Sequence, residues 1–201
     1  KKSYIATLKL GETTSSLDPE TPITDKKEVP ALDEKAVAAI LKSFLGVSEQ
    51  LPPMTSAIKV DGVPLYKAAH EGKEVERKTR QIEVFSLNLV KIENNIITFS
   101  TTVSRGTYIR VLGADIAKKL GTVGYLTSLR RLSIGPFLVA NAKKLSAVTS
   151  ADFLDSTLAI TTMKHVEIDD TKVKEIKNGV PVDLDEDYGP FVLLTLHGEA
   201  L

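Results

Sequence analysis

The 201 residues predict an α+β fold, a mixed and mainly antiparallel sheet with helices packed against it. Three observations carry this. "YIATLKLG" (residues 4–11) alternates like a strand; "QIEVFSLNLVKIENNIITFSTTVS" (81–104) holds two long β-rich runs around an Asn-Asn pair; and two segments repeat apolar residues at helical spacing.

In chain order, the first strand sets Tyr4, Ala6, Leu8 and Leu10 against Ile5, Thr7 and Lys9, so its faces are used differently. A polar, proline-spaced loop follows through Pro30. In "LDEKAVAAILKSFLG", Val37, Ile40, Leu41, Phe44 and Leu45 form one helical stripe, with Asp33 as N-cap and Gly46 at the far end. "QLPPMTSAIKVDG" is held extended by its prolines, and "PLYKAAHEG" predicts a short helix entered by Pro64 and closed by Gly72. The hairpin turns at Asn94-Asn95, residues that tolerate positive φ, and belongs centrally in the sheet. Its second strand runs into "SRGTYIR". Ile109, Leu112, Ile116 and Leu120 then lie at helical spacing before Gly121, so Tyr108 and Arg110 sit where strand becomes helix. "LTSLRRLSIGPF" is read as a basic turn and "ANAKKLSAVTSADFLDS" as linker-like. Residues 163–201 read as short strands of a second, incomplete β domain, giving domains of 1–162 and 163–201.

Composition narrows the function. Hydrophobic residues make up 42% of the chain, enough for a real core. Cysteine is absent, which removes disulfides and thiol chemistry and agrees with a reducing cytoplasm, the expected location. The opening "KKSYIATLKLG" is too short and too alternating for a signal peptide, and no membrane partner is expected. His70, His165 and His197 show no ligand spacing, so no metal is expected. Formal net charge is zero, but residues 104–144 carry eight basic side chains against the single acid Asp115. Residues 145–201 carry eleven acids and four lysines. The split points either to a localised polyanion-binding face or to a solvated basic surface.

Four collinear stretches, "KSYIATLKLGETTSSLD" (2–18), "QLPPMTSAIKVDGVPLYKAAHEG" (50–72), "SRGTYIR" (104–110) and "LTSLRRLSIGPF" (126–137), resemble the TruB family of RNA pseudouridine synthases. The resemblance implies isomerisation of uridine to pseudouridine in the T loop of tRNA, at position 55, with no metal and no organic cofactor. It implies a pseudouridine-synthase sheet and, from "IKNGVPV", the start of a PUA-type RNA-binding domain at the C-terminus. Thr55 and His70 depart from the pattern: many relatives carry an aromatic and an arginine there.

The site residues follow from the same resemblance. Tyr4 matches the tyrosine that stacks on the flipped uracil, the alternative being a tyrosine that fills the sheet's core. Tyr108 matches the tyrosine beside C5, a candidate for assisting proton removal, and Arg110 the arginine that pairs with the nucleophilic aspartate. Leu129 matches an apolar wall of the uracil pocket, or is a core leucine. Arg130 and Arg131 are candidates for phosphate contacts or the active-site wall, or are a plain surface pair, and Lys59, with the cluster Lys73, Arg77, Lys78 and Arg80, is a further candidate for backbone contacts.

Asp18 stands in a Leu-Asp-Pro sequence. The family's nucleophile lies in a Gly-(Thr/Ala)-Leu-Asp-Pro-x-Ala-(Thr/Ser)-Gly loop upstream of the Lys-x-Tyr strand. "SSLDPETP" lies downstream and lacks the flanking residues, so Asp18 is read as a turn residue. The chain is accordingly expected to begin after the catalytic loop, to be inactive alone, to leave Arg110 without its carboxylate, and, with its first strand uncovered, either to self-associate or to leave its active-site side poorly ordered. The alternative is a non-catalytic module that binds structured RNA.

Overall fold

The computed structural model describes residues 1–60, 62–70, 75–154, 156–160, 163–184 and 192–200. Two compact units divide the chain at Ile134/Gly135, so the expected boundary after residue 162 falls inside the second.

The first unit contains, in order, β1 (Lys2–Leu10), β2 (Glu12–Thr14), β3 (Ile23–Lys26), α1 (Glu34–Lys42), β4 (Gly46–Gln50), β5 (Lys59–Val60), β6 (Val63–Pro64), α2 (Leu65–His70), β7 (Arg80–Glu93), β8 (Ile96–Val103), α3 (Ile109–Lys119) and β9 (Gly124–Ile134). Its main-sheet strands run β9-β1-β8-β7-β4, and every pairing among them is antiparallel. The predicted fold class is therefore the observed one. The hairpin forms as read, with Asn94 at φ 50° in the turn. Asp33 caps α1 by accepting from the Ala36 amide at 2.8 Å.

One face of the sheet carries the core. Ala6, Leu8, Leu10, Ile97, Phe99 and Val103 alternate inward from β1 and β8, and Val37, Leu41, Ile109, Leu112 and Ile116 close over them from α1 and α3. Burial of these side chains is what orders the sheet. A tight approach to backbone occurs at Gly124, where a Cβ would lie 2.8 Å from the Ala117 Cβ and 2.9 Å from the Lys9 carbonyl oxygen. Backbone cannot yield as a flexible side chain can. Gly124→Ala is therefore expected to cost about 1–3 kcal/mol, read as a lowered urea midpoint with unchanged m-value.

Three expectations are corrected. In "LTSLRRLSIGPF" the turn is confined to Gly135-Pro136: residues 124–134 form the eleven-residue β9, paired along β1. Gly135-Pro136 is the local turn signal, whereas β1 supplies the preceding residues with a full ladder of partners from far away in sequence. β1 is accordingly an inner strand, flanked by β8 and β9, so the open edge expected at the first strand is absent. The third correction lies in the second unit.

That unit contains β10 (Phe137–Leu138), four 3₁₀ turns between Val139 and Ala159, β11 (Lys164–Glu167), α4 (Asp170–Lys177), β12 (Val192–Leu196) and β13 (Glu199–Ala200). β11 and β12 pair in parallel, and β12 and β13 antiparallel. Residues 170–177 are helical where strands were expected. Asp169 caps them by accepting from the Thr171 amide at 2.8 Å, and lysines occupy the last turn. No helix among the described residues is long and apolar enough to cross a membrane.

Candidate active site

The loop between β2 and β3 is built to present one carboxylate. Ser16, 1% exposed, donates from its hydroxyl to Asp18 Oδ1 at 2.5 Å, and the Glu20 amide donates to the same oxygen at 3.1 Å. Thr14 Oγ1 donates to the Asp18 carbonyl at 2.7 Å. Leu17 takes φ 62°, an unusual conformation for leucine, and its carbonyl accepts from the Leu126 amide at 3.1 Å, tying the loop to β9. With Oδ1 held by its own loop, Oδ2 is free to face outward.

Arg110 meets it there. Its Nη1 donates to Asp18 Oδ2 at 2.7 Å, and its Nη2 donates to the Thr55 carbonyl, so the planar fork is held on both sides. The two charged side chains are 20% and 21% exposed. Partial burial opposes ionisation of Asp18, but the Ser16 hydroxyl, the Glu20 amide and Arg110 together outweigh it and hold the carboxyl below its ordinary value. The expectation of an uncompensated Arg110 is thus corrected: ninety-two residues upstream, Asp18 supplies its counter-charge. The sequence signal was present, since "SSLDPE" combines the hydroxyl, carboxylate and proline of a rigid carboxylate-presenting turn.

Beside this pair lies a cavity of about 260 Å³ lined by Asp18, Pro19, Ile109, Arg110, Leu126 and Leu129, with Thr127 and Ser128 at its side. It lies below the usual ~300–1,000 Å³ of drug-sized pockets, a volume that suits a single base better than a dinucleotide. Leu129 is 48% exposed, unlike a core leucine, and lines this cavity.

The remaining candidates are distributed differently. Tyr108 is the N-cap residue of α3, two positions before Arg110, and does not line the cavity. Tyr4 is partly buried against the core cluster and does not line it either. Register nevertheless puts Tyr4 opposite Arg131, and Ala6 opposite Leu129, on the core face. Arg130 pairs with Ile5 and belongs to the other face, so the two adjacent arginines diverge. Lys59 lines a separate cavity of about 290 Å³ with Arg77, Lys78 and Arg80. Lys73 and Gly72 lie outside the described residues, as does the side chain of His70.

Two solved structures share the fold over 99% of this chain: a Cbf5-Nop10-Gar1 complex (TM-score 0.64, 20% identity, 57% of that chain) and an H/ACA RNP bound to a substrate RNA containing 2'-deoxyuridine (0.62, 18%, 56%). The family model for TruB family pseudouridylate synthase (N terminal domain) matches residues 1–109. The class defined by this sheet and family model is the pseudouridylate synthase. Within that class, the chain belongs to the TruB family.

Relatives agree. The chain is 46% identical to tRNA pseudouridine synthase B of Syntrophotalea carbinolica over 147 residues, 73% of this chain and 48% of the relative. It is 39% identical to that of Clostridium kluyveri over 186 residues, 90% of this chain and 64% of the relative. It spans about half the length of the first-ranked curated relatives it matches.

Proposed function

We propose that the whole protein converts uridine to pseudouridine at position 55 in the T loop of tRNA, and that the Asp18–Arg110 cavity is its uracil site. The reaction breaks the N1–C1′ bond, turns the base, joins C5 to C1′ and moves the C5 proton to N1, so substrate and product are isomers. A detached base must stay within reach of the sugar, which calls for a small, dry, rigid pocket. The observation that carries this reading is the guanidinium fixed by Asp18 and Thr55 at the edge of a base-sized cavity with Ile109, Leu126 and Leu129 as its apolar walls.

In this reading, Leu129 packs on the ring, and Tyr4 and Tyr108, which stand outside the lining of the cavity, engage the part of the flipped nucleotide that extends beyond it, Tyr4 by stacking and Tyr108 by assisting the proton's departure from C5. Arg110 orients the attacking carboxylate. The nucleophile belongs to the family's Leu-Asp-Pro-x-Ala loop, whose flanking residues no stretch of the 201 reproduces, while Asp18 fixes Arg110. Arg131, Arg130 and Lys59 contact phosphates on different surfaces. Residues 163–201 open a PUA-type RNA-binding domain, a reading that the small β11-β12-β13 sheet accommodates.

Tritium release from a T stem-loop carrying [5-³H]uridine tests the proposal. The full-length protein is expected to release one tritium per modified uridine. Tight binding without release would favour the non-catalytic RNA-binding module instead.

A further inference from the structure

Gln50 is the last residue of β4, the strand that flanks β7, and it behaves unlike the strand it ends. Val47, Ser48 and Glu49 are exposed, whereas Gln50 is 4% exposed. A buried carboxamide is costly unless its polar atoms find partners. Here both partners belong to one residue. Gln50 Oε1 accepts from the Tyr108 amide at 2.8 Å, and Gln50 Nε2 donates to the Tyr108 carbonyl at 3.2 Å. An amide nitrogen can only donate and a carbonyl can only accept, so a single orientation of the Gln50 side chain satisfies both.

Tyr108 needs this support. As the N-cap of α3 it is extended, at φ −92° and ψ 108°, and its own side chain makes no capping bond. Its ring cannot provide the oxygen that Ser, Thr, Asp or Asn would bring to that position. The same chain segment returns five residues later, when the Thr55 carbonyl accepts from Arg110 Nη2. Residues 50–55 therefore grip the first turn of α3 twice, once at the Tyr108 main chain and once at the Arg110 guanidinium.

We infer that Gln50 is a positioning residue for the uridine site: by clamping both main-chain groups of Tyr108 it sets where α3 begins, and with it the Tyr108 ring and the Arg110 fork. The inference rests on the proposed roles of Tyr108 and Arg110. Gln50 touches no reacting atom, so its removal misplaces the site without emptying it.

Two variants of the full-length protein test this. Gln50→Leu keeps much of the volume and removes both hydrogen bonds; Gln50→Glu, ionised, still accepts from the Tyr108 amide but no longer donates to the carbonyl. Single-turnover tritium release at saturating enzyme separates the rate on folded molecules from the fraction that is folded. Gln50→Leu is expected to slow that rate about 10- to 100-fold with RNA affinity unchanged, and to speed hydrogen exchange at the Tyr108 amide. Gln50→Glu is expected to fall between wild type and Gln50→Leu in rate while keeping most of the amide's protection. A loss confined to reaction amplitude, a wild-type rate in Gln50→Leu, or unchanged exchange at Tyr108 would overturn the inference. Should Gln50→Leu fail to fold, Gln50→Glu decides by the same rate and exchange. If wild-type protein releases no tritium, the uridine-site reading falls, while exchange at Tyr108 still reports whether Gln50 holds that residue.

Discussion

Arg110→Met in the full-length protein is expected to lower the single-turnover rate of uridine isomerisation by about 10³-fold, with the protein still folded. The side chain lost is the permanent charge at the cavity, and donors or charges fixed in advance at a reacting centre are worth about 10²–10³ in rate each. Methionine restores the apolar volume of the stem but leaves the Asp18 carboxylate partly buried without its cation. A modest loss of stability should accompany the loss of rate. Arg110→Lys is expected to recover only part of the rate, because one ammonium cannot reproduce a planar fork that reaches Asp18 with one nitrogen and the Thr55 carbonyl with the other. A rate within tenfold of wild type for Arg110→Met would remove the guanidinium from the mechanism. Circular dichroism of each variant separates this outcome from unfolding.

Asp18→Asn should lower the rate about 10- to 100-fold, and its pH dependence identifies the cause. The asparagine can still accept from Ser16 and from the Glu20 amide, but it carries no charge for Arg110. The folded-state pKa of Asp18 is depressed, so the unfolded chain takes up its proton first as the medium is acidified. The stability that the carboxylate contributes is complete above its unfolded value, near 3.9, and is lost as pH falls through the lower folded value. The stability difference between wild type and Asp18→Asn should therefore be constant across neutral and mildly acidic pH and shrink only below about 4. Denaturant titrations at several pH values measure it. A difference that fades between pH 5 and 7 would mean that Asp18 is not the depressed carboxylate described here. Complete loss of single-turnover chemistry in Asp18→Asn, with Arg110 still ordered, would make Asp18 the nucleophile and overturn its assignment as Arg110's anchor.

Much of this architecture was legible in the residues themselves, and the reason is that those features are local. Alternation in "YIATLKL" and the Asn94-Asn95 turn are satisfied within a few residues, so β1 and the β7–β8 hairpin form where they were read. Asp33 and the α1 stripe follow the same rule, since a cap and a 3.6-residue period need no distant partner. Of the residues singled out by resemblance to the TruB family, Arg110 and Leu129 line one cavity, and Tyr4 and Tyr108 do not line it.

Pairing between distant segments was decided by the tertiary structure. "LTSLRRLSI" reads with the Gly-Pro that follows it as a basic turn, and pairing with β1 makes it a strand, with Arg130 and Arg131 then sent to opposite faces by the pleat. Asp18 gave every local sign of a turn residue and is one, but its second carboxylate oxygen is free, and the fold brings the Arg110 guanidinium to it. A turn's hydrogen bonds are written in its own sequence; the charge that completes it is supplied by whichever element the hydrophobic core packs alongside.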